Sequence, residues 1–394
     1  MSFLVLCGSL IDCTGRGPVH NVAVHVEGDR ISSIQSQDQA PHPADAEVID
    51  LNDKTVLPGL IDCHDHFGVD IGDEEAQCAE PVEYIAFKCA KNARDILRAG
   101  ITTVRSVGEK DLTGAMLKRA VEEGLIQGPR VVNSGRLIVR TGGHGWFIGR
   151  QADGPDALRA AVRAEVQDGA DLIKIMVSGG VSTKGSDVLA PEFADEETKA
   201  LIDEAHRRGR KVAAHAHGGP GVASAVRAGV DSIEHGVFLT ADDVQLMAEH
   251  GTYLVVTAGV MDEILQQDDV PAFMKEKIKD ARNGFLKMLA DARGTGLKIA
   301  VGTDENHGKL CYEMQTLHKV GYTPMEALLA GTKNAAELCE LSDRLGTLEV
   351  GKVADLIAVR GDPLADLACL EDVHLVMKAG KVEFLNGREV SRAP

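Results

Sequence analysis

What most constrains this chain is a sustained alternation of short apolar runs with amphipathic helical stretches, punctuated by glycine. Strands read at 60–66, 101–107, 130–134, 171–177, 211–217, 232–236, 252–257 and 298–304. Helical periodicity reads over 82–98, 156–167, 195–208, 241–249, 271–293 and 324–340. Gly100, Gly169, Gly209, Gly229, Gly251 and Gly296 fall just after helical stretches, where a left-handed residue ends a helix. Thr323 before Pro324 reads as an N-cap. Eight strands, each followed by a helix, predict an α/β chain folded as a closed (β/α)8 TIM barrel.

The ends read differently. Short strands at 3–6, 22–27 and 31–34 precede the alternation, and others at 355–360, 373–378 and 382–385 follow it. Chain ends often lie close together, so a small composite β-sandwich built from both ends is expected. The expected division is 1–56 for its first part, 57–342 for the barrel and 343–394 for its second part.

Composition narrows the partners. Forty-two basic against sixty acidic residues give a net charge of −18, which disfavours nucleic acid and anionic membrane surfaces. With 44% apolar and 26% charged residues the chain has globular composition. No apolar run is long enough to cross a bilayer, and Met1 to Gly8 lacks the basic start of a signal peptide. Eight cysteines form no C-x-x-C pair, so a reducing, cytoplasmic location is expected.

Chemistry gathers at strand ends. His64 and His66 are two apart on the first strand, so both imidazoles face one side and suit a divalent metal. Lys174 sits inside the apolar run Leu172 to Val177, where a charge is costly unless paired or removed. A lysine with a depressed pKa there could react with carbon dioxide to give an anionic oxygen ligand. His215 and His217 end the fifth strand, His235 the sixth and Asp304 the eighth. Strand capping would account for any one of these. Together they put imidazoles, an amine and a carboxylate at the end where barrel enzymes carry their chemistry.

The run Leu57-Pro-Gly-Leu-Ile-Asp-Cys-His-Asp-His66, with Lys174, His215, His235 and Asp304 in order, resembles the amidohydrolase superfamily. The resemblance covers essentially the whole chain. It implies a binuclear centre with zinc as the expected ions: His64 and His66 on the more buried metal, Lys174 as a carboxylated bridging lysine, and His215 and His235 on the second. Asp304 would bind the first metal and shuttle a proton. Deaminase-like members carry Glu three residues after the fifth-strand histidine, where Gly218 stands here, and imidazolonepropionases lack the lysine. Thr141-Gly-Gly-His144 and Ser178-Gly-Gly-Val181 look like the branch of metal-dependent dipeptidases and carboxypeptidases, although His217 stands where some prolidase-like members have Tyr.

On that resemblance the expected activity is hydrolysis of an amide or peptide bond in a small molecule, a dipeptide or N-acyl amino acid, by a metal-bridging hydroxide. His144 or His217 would meet the oxyanion. Arg140, Trp146 and His307 are the candidate substrate contacts, with Glu305, Lys184 and Ser186 at the rim. The alternatives are a carbamate, ester or lactam hydrolase, or a non-catalytic assembly protein. A homo-oligomer is expected by analogy.

Overall fold

The helix stops read from glycine are real turns of the backbone. In the computed structural model, which describes residues 2–41, 45–279 and 281–390, all six take positive φ. Gly251 shows why: it ends the helix Ala241–His250 at φ 71°, ψ 17°, and its N–H reaches the last carbonyls. Thr323 caps Pro324–Ala330 through a reciprocal bond with Glu326.

In chain order the strands are β1 (Ser2–Leu10), β2 (Val19–Glu27), β3 (Arg30–Ser36), β4 (Glu47–Pro58), β5 (Leu60–Asp65), β6 (Ile101–Ser106), β7 (Arg130–Asn133), β8 (Ile138–Val139), β9 (Arg150–Gln151), β10 (Leu172–Met176), β11 (Lys211–Ala216), β12 (Ser232–His235), β13 (Tyr253–Val256), β14 (Lys298–Val301), β15 (Leu356–Val359), β16 (Val373–Lys378), β17 (Lys381–Leu385) and β18 (Arg388–Glu389). All eight middle strands read from the sequence are present. Parallel ladders run β5-β6-β7 and, in a second sheet, β14-β13-β12-β11-β10-β8-β9. Both gaps between these sheets are bridged: Asp171 N–H donates to Asn133 O at 2.7 Å, and Asp304 N–H to His64 O at 2.8 Å. Strands such as β10 and β11 are buried on both faces, as parallel strands covered by helices must be.

The two chain ends meet in one eight-stranded sheet ordered β18-β17-β16-β15-β4-β1-β2-β3. Its centre is β4, which runs parallel to β1 and antiparallel to β15. The sequence reading omitted β4, because Asp50, Asn52, Asp53 and Lys54 break its apolar pattern. Gly8 makes the pairing possible, since a Cβ there would lie 2.1 Å from Asn52 O, and the register shifts at that point.

Two expected long helices are divided. Residues 271–293 hold Ala272–Ile278 and Ala281–Asp291, and 324–340 hold Pro324–Ala330 and Lys333–Leu338. The second break falls at Gly331 and Thr332: a Cβ on Gly331 would meet Met314 Cε at 2.2 Å, and Thr332 leaves helical dihedrals with its hydroxyl turned back onto Leu328 O. The cysteines are all free, and among the described residues no helix is long and apolar enough to cross a membrane.

Candidate active site

Parallel pairing places every strand's C-terminal end on one side. There the structure gathers His64, His66, Lys174, His215, His235 and Asp304 around one cavity, with His144 and His217 beside them. Ladder register sets neighbours: His215 pairs with Met176 of β10 and Glu234 of β12. His64 Nε2 lies 3.3 Å and His66 Nε2 3.8 Å from Asp304 Oδ1, and His235 Nδ1 lies 3.4 Å from Asp304 Oδ2. Imidazole centroids are 4.6 Å apart for His64 and His235, 4.7 Å for His215 and His235, and 4.4 Å for His144 and His215.

Three residues here hold unusual backbone angles: His235 at φ 71°, Asp304 at 50° and Glu305 at 70°. Such left-handed conformations cost side-chain-bearing residues roughly 1–3 kcal/mol each and persist only where surroundings fix them. His235 is held by Thr257 Oγ at 2.8 Å, and Glu305 N–H donates to Asp65 Oδ1 at 3.1 Å.

Burial drives five of the six imidazoles toward neutrality. It holds His144, His215 and His235 well below the usual range and brings His66 and His217 down to about 4. His64 is the exception: burial and Lys174 would lower its pKa, but Asp304 and Glu234 raise it. Burial likewise brings Lys174 down to about 8, outweighing the pull of Glu234 and Asp304. Asp304 is opposite: burial would raise it, but His64 and its neighbours bring it down to about 2.

These donors fit divalent cations. A carboxylate or carbonyl can only accept, so His64 Nδ1–H donates to Glu234 Oε2 at 2.7 Å and His66 Nδ1–H to Gly108 O at 2.7 Å. His215 Nε2–H donates to Gly179 O at 3.2 Å. Each bond leaves the opposite ring nitrogen with its lone pair, the usual arrangement of a metal-binding histidine. His64 Nε2 and Lys174 Nζ are buried without a hydrogen-bond partner. Ligand atoms of His64, His66 and Asp304 all lie within 4.8 Å of one another.

Residues 55–382 match the Amidohydrolase family. The chain belongs to this family. Ochratoxinase of Aspergillus niger is 31% identical over 96% of the chain and 86% of that protein. The amidohydrolase fold is equally close to solved structures. A Xaa-Pro dipeptidase with methionine bound in its active site is 34% identical at a TM-score of 0.89, covering 97% of this chain and 99% of that one. A prolidase complexed with N-methylphosphonate-L-proline is 30% identical at 0.91, with the same coverage. This amidohydrolase is a hydrolase that acts on C–N bonds.

The expected substrate contacts are not gathered into the cavity. Arg140 lies outside its wall and is paired with Glu192 Oε2 at 2.5 Å. Trp146 is exposed on the loop, edge-on to Phe147. Ser186 Oγ accepts from Gly180 N–H, Lys184 is exposed, and Glu305 lines the cavity. His307 binds Asp65 Oδ2 at 2.9 Å and Val69 O at 3.0 Å, clamping the loop after β5.

Burial would lower the His307 pKa, but Asp65 and Asp70 push it up to about 10. A folded pKa above the unfolded value of about 6.5 contributes stability that is complete below pH 6.5 and is lost as pH rises through 10. Thermal unfolding midpoints measured from pH 6 to 10 should therefore fall. His307→Gln should flatten that decline.

The sequence reading also passed over Arg105 and Glu74, and took Glu234 only as the neighbour of His235 at the end of the sixth strand. Arg105 is wholly buried in β6, bonded to both Glu234 oxygens at 2.8 Å, to Cys63 O at 2.6 Å and to Ser232 Oγ at 3.0 Å. Through Glu234 it reaches His64. A weaker form of the signal was available, since Arg105 is the one charge in a strand of Ile, Val, Thr and Ser, where Lys174 breaks a wholly apolar run. Removing one member of a buried ion pair leaves an uncompensated charge, at about 3–5 kcal/mol. Arg105→Met should lose stability of that size in denaturant unfolding, and the added Glu234→Leu change should recover part of it.

Proposed function

We propose that the two parallel sheets close into a (β/α)8 barrel over 57–342, with 1–56 and 343–394 forming one composite β domain. The hydrogen bonds across both gaps support closure, and the β4–β15 ladder supports the shared domain. We propose further that the barrel mouth carries two divalent cations, zinc in the first instance, and cleaves a small amide or peptide. His64, His66 and Asp304 would hold one ion and His215 and His235 the other, with N6-carboxylated Lys174 between them.

The observation that carries this reading is Lys174: a buried amine without a hydrogen-bond partner, facing the same cavity as histidines whose outer nitrogens are occupied. An amine brought down to about 8 is partly neutral near pH 7 and can attack carbon dioxide. When bound, the ions supply an acidified water and a polarised scissile carbonyl. Asp304, ionised at neutral pH, takes the proton released as the water attacks and passes it to the leaving amine. Thr183 Oγ accepts from Gly145 N–H at 3.0 Å, so its own proton can go to His144 Nδ1 at 2.9 Å. His144 then presents Nε2–H to the developing oxyanion, a contact of roughly 3 kcal/mol. His217, with Nδ1 unpartnered, is the second candidate for that contact.

Elemental analysis should give two ions per chain. Chelation should abolish amine release from small amides, and zinc should restore it. Cleavage of carbamates, esters or lactams in place of every amide would reassign the bond, and amide turnover unaffected by chelation would end the metal reading.

A further inference from the structure

One ammonium group holds the loop on which His144 rests. Lys277 projects from the short helix Ala272–Ile278, and its Nζ donates to Gly180 O at 2.7 Å, Val181 O at 3.1 Å and Thr183 O at 2.7 Å. An ammonium has three protons, so all of them go to carbonyls of this one loop, as charge-assisted bonds. The ring of Phe273, one turn earlier, lies 5.5 Å from the same ammonium and helps to aim it.

The two shorter bonds fall on the two loop residues that touch His144. Thr183 Oγ meets His144 Nδ1 at 2.9 Å and also accepts from Gly145 N–H at 3.0 Å. Gly180 lies against the Nε2 end of the ring: a Cβ there would stand 2.1 Å from Nε2 and 2.3 Å from Cδ2. Both ends of the imidazole therefore rest on backbone that Lys277 ties down. The same helix supplies part of the cavity wall through Met274 and Ile278, which share a face with Lys277 by their spacing.

We infer that Lys277 is a positioning residue: through Gly180 and Thr183 it fixes His144 where the imidazole can meet the developing oxyanion. This rests on the amide-hydrolase reading above and extends it to a side chain outside the cavity lining.

A double-mutant cycle on leucyl-leucine hydrolysis by the zinc-loaded enzyme tests it. Lys277→Met should lower kcat about tenfold to a hundredfold, with KM and metal content nearly unchanged, because the donor is displaced and no substrate contact is lost. In a His144→Ala background the same change should cost less than about twofold, since the group it positions is gone. Gly180→Ala, which crowds the ring and leaves the ammonium intact, should reproduce the kcat loss of Lys277→Met. Independently of turnover, Lys277→Met should speed amide hydrogen exchange over 143–146 and 180–184, with exchange over 172–176 and 211–216 unchanged. A full additive loss in the His144→Ala background, or exchange unaltered in both loops, overturns the inference. Faster exchange in both loops, in a protein whose wild type leaves leucyl-leucine and other amides intact, supports the clamp and counts against the amide-hydrolase reading.

Discussion

Asp304→Asn should lower kcat/KM on a small amide by about 10²–10⁴-fold, the range expected when a positioned acid–base group is lost. Asparagine keeps an oxygen in the same place but cannot accept the proton of the attacking water or return it to the leaving amine. The effect should therefore fall on kcat, with metal content largely retained. In the wild type Asp304, which its histidine neighbours bring down to about 2, should stay ionised across the working range. The acid limb of the pH–rate profile should therefore come earlier, from protonation of the histidine ligands and loss of the Lys174 carbamate. A variant that keeps activity within tenfold of wild type would remove Asp304 from the chemistry.

Lys174→Ala should be comparably severe, at about 10³-fold or more, because it removes both the bridging group and the anion that offsets two dications. Its most informative readout is not the rate. Native mass measured at neutral pH should exceed the sequence mass by one carbon dioxide, and acid should reverse the increment. Lys174→Ala should abolish it and cut bound metal to one ion or fewer, whereas Lys174→Glu, which restores a carboxylate, should recover part of the metal content. An unmodified lysine in a two-ion enzyme would contradict the assignment.

The sequence disclosed the architecture wherever one local cause sufficed. Gly251 and Thr323 mark helix ends by their own backbone preferences, and the β10 run spells out a strand buried on both faces. His64 and His66 were legible because two-residue spacing puts both on one side. Legibility failed where a long-range partner decides the outcome. β4 looks too polar for a strand until β1 and β15 supply its ladders. Arg140 was expected to meet substrate and Glu74 was not singled out, because only the fold shows which side chain reaches the cavity and that Glu192 engages the arginine. Arg105 carried a fainter signal, a lone charge in a strand of Ile, Val, Thr and Ser, and its acceptor on β12 lies more than a hundred residues away.

The sheet shared by both chain ends bears on biosynthesis. On the ribosome, β1 to β4 emerge long before β15 to β17, so β4 must wait with one edge bare until nearly the entire chain has been translated. Late-closing pairings of this kind slow maturation and leave a nascent edge open to intermolecular association. Stalled or truncated products lacking the last forty or so residues would accumulate as aggregates or chaperone clients, even with every catalytic side chain already synthesised.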